Sequence, residues 1–183
     1  PMEFAEVASM SMELLTFPYL EEFYGPEDAD RARRDHLESL STMLPWIATI
    51  DAFQHWAYLN PTHTRKDREQ CWVHLNDRFG PDVDWTGHED SLRSMWHRQL
   101  HIFGLPFYYI EYGIAQLGAL QMWLQSRRHP ASALANYKKG LSLGASRPLP
   151  DLFGASGLRF SFGPDTMGEL MHEVGETLAK LPA

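Results

Sequence analysis

His101-Ile102-Phe103-Gly104-Leu105-Pro106-Phe107-Tyr108-Tyr109-Ile110-Glu111-Tyr112-Gly113-Ile114-Ala115-Gln116 is the stretch on which the fold turns. Pro106 pushes its predecessor out of helical geometry, so the segment from Ser91 to Ser126 is predicted as helix broken once at Gly104-Leu105-Pro106. Past the break, Gly113, Ala115, Gly118 and Ala119 make one side of the helix small, which lets a neighbouring helix approach closely. Outward in both directions the apolar spacing stays helical, with few alternating runs and few β-branched clusters, so the chain is read as all-α, a bundle-like array of helices.

The other elements follow from breakers and caps. Val7, Met10, Leu14 and Phe17 set a first helix over about Glu3 to Phe17, stopped by Pro18. A segment from about Glu27 to Leu59 holds Pro45, giving either two helices or one kinked one. Asn60-Pro61-Thr62 ends it and caps a helix over about Arg65 to Phe79. Gly80 to Gly87 is a loop. Pro130 opens a helix that Gly144 closes as its C′ residue. Arg147 to Gly163 is punctuated by Pro and Gly, with a stretch that could be extended, and Asp165 caps a last helix to about Lys180. Neither a repeat nor a linker divides the 183 residues, so one all-α unit over 1–183 is expected.

Composition narrows the function. Hydrophobic residues at 44% and aromatics at 13% permit a sizeable core and exclude general disorder. Lys+Arg 16 against Asp+Glu 24 gives a formal charge of -8, which argues against nucleic acid as a partner. One cysteine, Cys71, excludes an internal disulfide framework and a Cys-rich zinc knuckle and suits a reducing compartment such as the cytoplasm. No secretion signal and no long uncharged stretch are visible, so no membrane partner is expected.

Several residues could carry chemistry. Glu6 and Glu13 lie two turns apart on nearly one face of the first helix, where the plain reading is two surface acids and the sharper one a metal ligand or acid/base pair. His97 and His101 have the i, i+4 spacing of half a metal motif. Arg98 stands where an HExxH zinc hydrolase has its general-base Glu, so separate roles are favoured for the two histidines. His172-Glu173 is read as a solvated helix face. Tyr109 and Tyr112, three apart, either pack in a core or, joined by His101, donate hydrogen bonds to a developing oxyanion.

Pro1-Met2-Glu3-Phe4-Ala5-Glu6-Val7-Ala8-Ser9-Met10-Ser11-Met12-Glu13-Leu14 resembles the segment that follows the HExxH helix in the thimet oligopeptidase and oligoendopeptidase F family of zinc metallopeptidases. Phe53-Gln54-His55-Trp56-Ala57-Tyr58, Val83-Asp84-Trp85 and above all His101 to Gln116 resemble the C-terminal catalytic half of the same enzymes. The resemblance covers Pro1 to about Phe162. It implies a peptidase acting on short peptides with one zinc ion, Glu6 as the third zinc ligand and Glu13 as a supporting acid. It further implies that His101, Tyr109 and Tyr112 bind substrate or hold the oxyanion, with Tyr108 as a substrate-binding neighbour.

No HExxH occurs in the sequence, so two zinc ligands and the general base are missing. The expectation is therefore a C-terminal fragment of a longer peptidase, inactive alone, with zinc absent or weakly held and a homodimer formed through the uncovered face. The rival is a non-catalytic helical interaction module that kept the scaffold. A third possibility, a separate metal protein built on His97 and His101, needs stoichiometric metal.

Overall fold

Every regular element in residues 1–182, the part described by the computed structural model, is helical, and no strand is present among the described residues. The α-helices are α1 (Met2–Leu15), α2 (Pro26–Leu59), α3 (Arg65–Phe79), α4 (Glu89–Ser94), α5 (His101–Gly104), α6 (Ile110–Arg128), α7 (Pro130–Ser142), α8 (Leu149–Ala155) and α9 (Pro164–Leu178). Short 3-10 turns occupy Phe17–Glu22 and Met95–Arg98. No helix among the described residues is long and apolar enough to cross a membrane.

Local chemistry accounts for most boundaries. Pro45 does not split α2, which runs through it as one helix. The cap of α3 is Thr64, not the predicted Asn60-Pro61-Thr62: its hydroxyl accepts from the Asp67 N–H while the Asp67 carboxylate accepts from the Thr64 N–H, a reciprocal box. Gly144 takes a left-handed φ of +52° just beyond α7, a backbone that its missing Cβ allows. In 147–163 the possible extended stretch is instead α8, opened by Pro148 and a proline inside its first turn. α9 begins behind Gly163, and Asp165 sits in its first turn.

The residues form two compact units, Pro1–Glu38 with Ile114–Ala183, and Ser39–Gly113. In the first, Phe4 and Val7 of α1 pack with Met122 of α6, Tyr137 of α7 and Phe153 of α8. The predicted small-residue side is used: a Cβ on Gly118 would lie 3.0 Å from both Phe153 and Val7. A close approach that was not predicted occurs on α7, where a Cβ on Gly140 would lie 1.8 Å from the Ser156 hydroxyl. The Tyr137 hydroxyl donates to the Ala8 carbonyl at 2.9 Å, and the Gln121 amide both donates to the Arg159 carbonyl and accepts its N–H.

The second unit is built on rings. Phe53 of α2 meets Trp72 of α3 edge-on at 5.3 Å and Trp96 at 5.4 Å, with Ile50 and Leu75 completing the core. Here too a glycine marks a close approach: a Cβ on Gly113 would lie 3.3 Å from Ile47. This aromatic floor fixes the elements that carry His101.

Candidate functional site

The segment predicted as one broken helix folds as four pieces, and that fragmentation makes the site. After the 3-10 turn the backbone straightens at Gln99 (φ −90°, ψ 93°), and His101 then opens α5. Leu105 to Tyr109 connect α5 to α6. Phe107 sits at φ 60°, a left-handed conformation that costs a bulky residue on the order of 1–2 kcal/mol. Its ring is held at 4.9 Å from His55 and 5.0 Å from Tyr58.

This turn delivers three tyrosines to one histidine. The His101 ring centre lies 5.9 Å from Tyr108 (stacked), 4.9 Å from Tyr109 and 6.0 Å from Tyr112 (edge-on). All four side chains are half-buried, amphipathic rings with one polar end each. Tyr109 leans furthest into the core and packs against the tryptophan cluster. Burial raises its hydroxyl pKa above the usual tyrosine value, opposed by the Trp46 indole N–H and the Arg98 charge. Such a phenol stays protonated at neutral pH and remains a hydrogen-bond donor.

Behind His101 stands a hydrogen-bonded pair absent from the sequence reading. The Trp46 indole N–H donates to the Gln99 side-chain oxygen at 3.2 Å, and the Gln99 amide nitrogen lies 2.7 Å from His101 Nδ1. Arg98 stacks its guanidinium over the Trp46 ring at 4.6 Å. Trp46 and Arg98 also border a cleft of about 990 Å³ lined by Phe79, Val83, Trp85 and Met95, which is where the Val83-Asp84-Trp85 loop lies. Proximity in sequence hints at Gln99 alone. Trp46 comes from α2, more than fifty positions away, and no spacing rule connects it.

His97 and His101 are not on one helix face. His97 belongs to the 3-10 turn and lies against Trp96 at 3.9 Å, with the straightened Gln99 between it and α5. Among the described residues no three His, Cys, Asp or Glu side chains converge as a metal group. His172 is exposed on α9, and its neighbour Glu173 pairs with Arg128 at 3.0 Å.

In the first unit the two acids of α1 have different surroundings. Glu6 is half-buried, and its carboxylate accepts from the Ser9 hydroxyl at 2.9 Å. Glu13 is largely exposed, 3.7 Å from His36 Nδ1. Burial lowers the His36 pKa, and Glu13 works against that. Metal-ligating carboxylates are commonly hydrogen-bonded in turn, and the Ser9 hydroxyl gives Glu6 a partner of that kind.

The profile of peptidase family M3 matches residues 1–171. No curated protein sequence matches significantly. Among solved structures, one described as an oligoendopeptidase F superposes with a TM-score of 0.90 at 36% identity, covering 98% of this chain and 32% of the other. PZ peptidase A, solved with an inhibitor, gives a TM-score of 0.89 at 32% identity over 98% of this chain and 32% of its own. An oligoendopeptidase F structure from Bacillus anthracis gives 0.78 at 28% identity, covering 99% and 29%. The chain thus spans about a third of the length of these structures. A match over nearly the whole sequence and superposition on peptidases of the same helical architecture agree: the chain belongs to peptidase family M3.

Proposed function

We propose that this chain is the C-terminal part of the catalytic domain of a zinc-dependent oligoendopeptidase that hydrolyses peptide bonds in short peptides, in the cytoplasm. The observation that carries the reading is His101 with three tyrosine rings centred within 6.0 Å of it, in a chain of a peptidase family. When bound, zinc would supply Lewis-acid polarisation of the scissile carbonyl. A catalytic zinc takes three protein ligands, of which these residues offer Glu6.

The chain's own contribution is electrostatic. As the carbonyl oxygen gains charge, donors already in place cost no reorganisation and act strongly in a half-buried site. His101, Tyr109 and Tyr112 fill this role, Tyr108 supports the substrate backbone, and Glu13 steadies α1. Removing one oxyanion donor typically costs on the order of 10²–10³ in turnover. His101→Ala and Tyr112→Phe in the full-length peptidase are expected to lose that much in kcat.

The isolated 183 residues lack an HExxH and are expected to be inactive. Incubation with a quenched-fluorescent oligopeptide tests this, and chelator-sensitive cleavage by the purified chain would overturn it. Leu100, Phe103 and Leu105 stand 77%, 57% and 52% exposed beside the site, an apolar surface through which the isolated chain is expected to pair with a second copy. A monomeric mass by light scattering at tens of micromolar would refute the pairing.

A further inference from the structure

We propose that Trp46 and Gln99 form a relay that fixes neutral His101 in its Nε2–H tautomer, so that the histidine meets substrate as a hydrogen-bond donor. The relay rests on the reading of His101 as an oxyanion-stabilising residue, and it names two positioning residues for that site.

The indole N–H of Trp46, which also faces the Tyr109 hydroxyl, can only donate, so the end of Gln99 that lies 3.2 Å from it must be the amide oxygen. That leaves the NH₂ end of Gln99, which also can only donate, 2.7 Å from His101 Nδ1. Nδ1 must then offer its lone pair, and the single ring proton of the neutral imidazole goes to Nε2. Two other histidines of the same unit are wired the opposite way. Nδ1 of His55 lies 3.0 Å from the Asp51 carbonyl, and Nδ1 of His63 faces the Asn60 carbonyl at 2.5 Å. A carbonyl only accepts, so both carry the proton on Nδ1, and His63 Nε2 is free to accept from Arg68 at 3.0 Å.

The difference matters for chemistry. A carbonyl oxygen gaining negative charge is stabilised by an N–H and repelled by a ring lone pair, so only one tautomer is useful without a prior proton shift. A side-chain amide is neutral and leaves the ring a neutral donor, whereas a carboxylate in its place would draw the proton to Nδ1.

Nitrogen-resolved NMR of the 183-residue chain at alkaline pH tests the relay, with His55 and His63 as internal references of the Nδ1–H form. His101 is expected to be protonated at Nε2. Gln99→Glu is expected to invert it, and Trp46→Phe, which frees the amide to turn over, to give a mixture. Protonation at Nδ1 in the unaltered chain, or a Gln99→Glu variant still protonated at Nε2, would overturn the proposal. In the full-length peptidase acting on a quenched-fluorescent oligopeptide, Gln99→Glu is expected to lower kcat on the order of 10² with KM little changed, as for loss of one oxyanion donor. Should the tautomer invert while kcat holds, the relay would stand and the role given to His101 would fall.

Discussion

Phe107 illustrates how one residue organises the site at an energetic cost. Its backbone sits where glycine is the usual occupant, and what keeps it there is the ring, wedged between His55 and Tyr58. The two contributions separate by mutation. Phe107→Ala loses the ring and keeps the strain, whereas Phe107→Gly loses the ring and relieves it, so the Gly variant should be the more stable by about 1 kcal/mol in urea unfolding. Equal stabilities would mean that the turn relaxes once the ring is gone. This device was not legible in the sequence, since a Gly at this position would signal a left-handed turn and a Phe conceals it. His101, Tyr109 and Tyr112 were grouped in the sequence only as one of two open readings of their spacing, core packing being the other, and it was the family resemblance that singled them out. Gln99 and Trp46 were not, because a side-chain hydrogen bond between distant elements leaves no periodic trace.

At the scale of elements, α1 and the first turns of α2 carry a pH-sensitive contact. Burial beneath Phe17 lowers the His36 pKa below its ordinary 6.5, against the opposing pull of Glu13. A lowered histidine binds fewer protons folded than unfolded. Its contribution to stability is therefore complete above about pH 6.5 and is lost as pH falls through the native value. Glu13→Gln removes the opposing charge and should enlarge the loss between neutral and mildly acid pH, read as a greater fall in the urea midpoint than in the unaltered chain. An unchanged pH dependence would show that the pair is screened by solvent. Element boundaries were legible where backbone chemistry is local, as at Gly144 with its positive φ, whereas the first helix stops at Leu15, short of the expected Phe17, and Pro18 lies inside the 3-10 turn that follows. They were misread where two signals compete. Pro148 to Gly163 carries breakers at both ends, yet seven residues between them, with Leu152 and Phe153 fully buried, suffice for α8. The Ser91 to Ser126 segment splits further than its one proline implies because tertiary contacts of Trp96 and Gln99 outweigh weak local propensity.

For the whole molecule, the single thiol offers a reporter. Cys71 is half-buried on α3 against the tryptophan core, and burial pushes its pKa from 9.0 up to about 11. Only the thiolate reacts, so alkylation of the folded chain near neutral pH should be slower than that of the unfolded chain by about two orders of magnitude. Fast labelling under native conditions would show that this core opens readily. The division into two units carries a different lesson. Both crossings fall inside helices, at Glu38 within α2 and at Gly113 within α6, and not in loops. Severing a helix strands up to four C=O groups on the piece before the cut and up to four N–H groups on the piece after it. The map of compact units is therefore no map of dissection: a piece spanning 39–113 would begin and end on raw helix ends, and an insertion into this chain is better placed in the turn at 60–64 than at the borders of its cores.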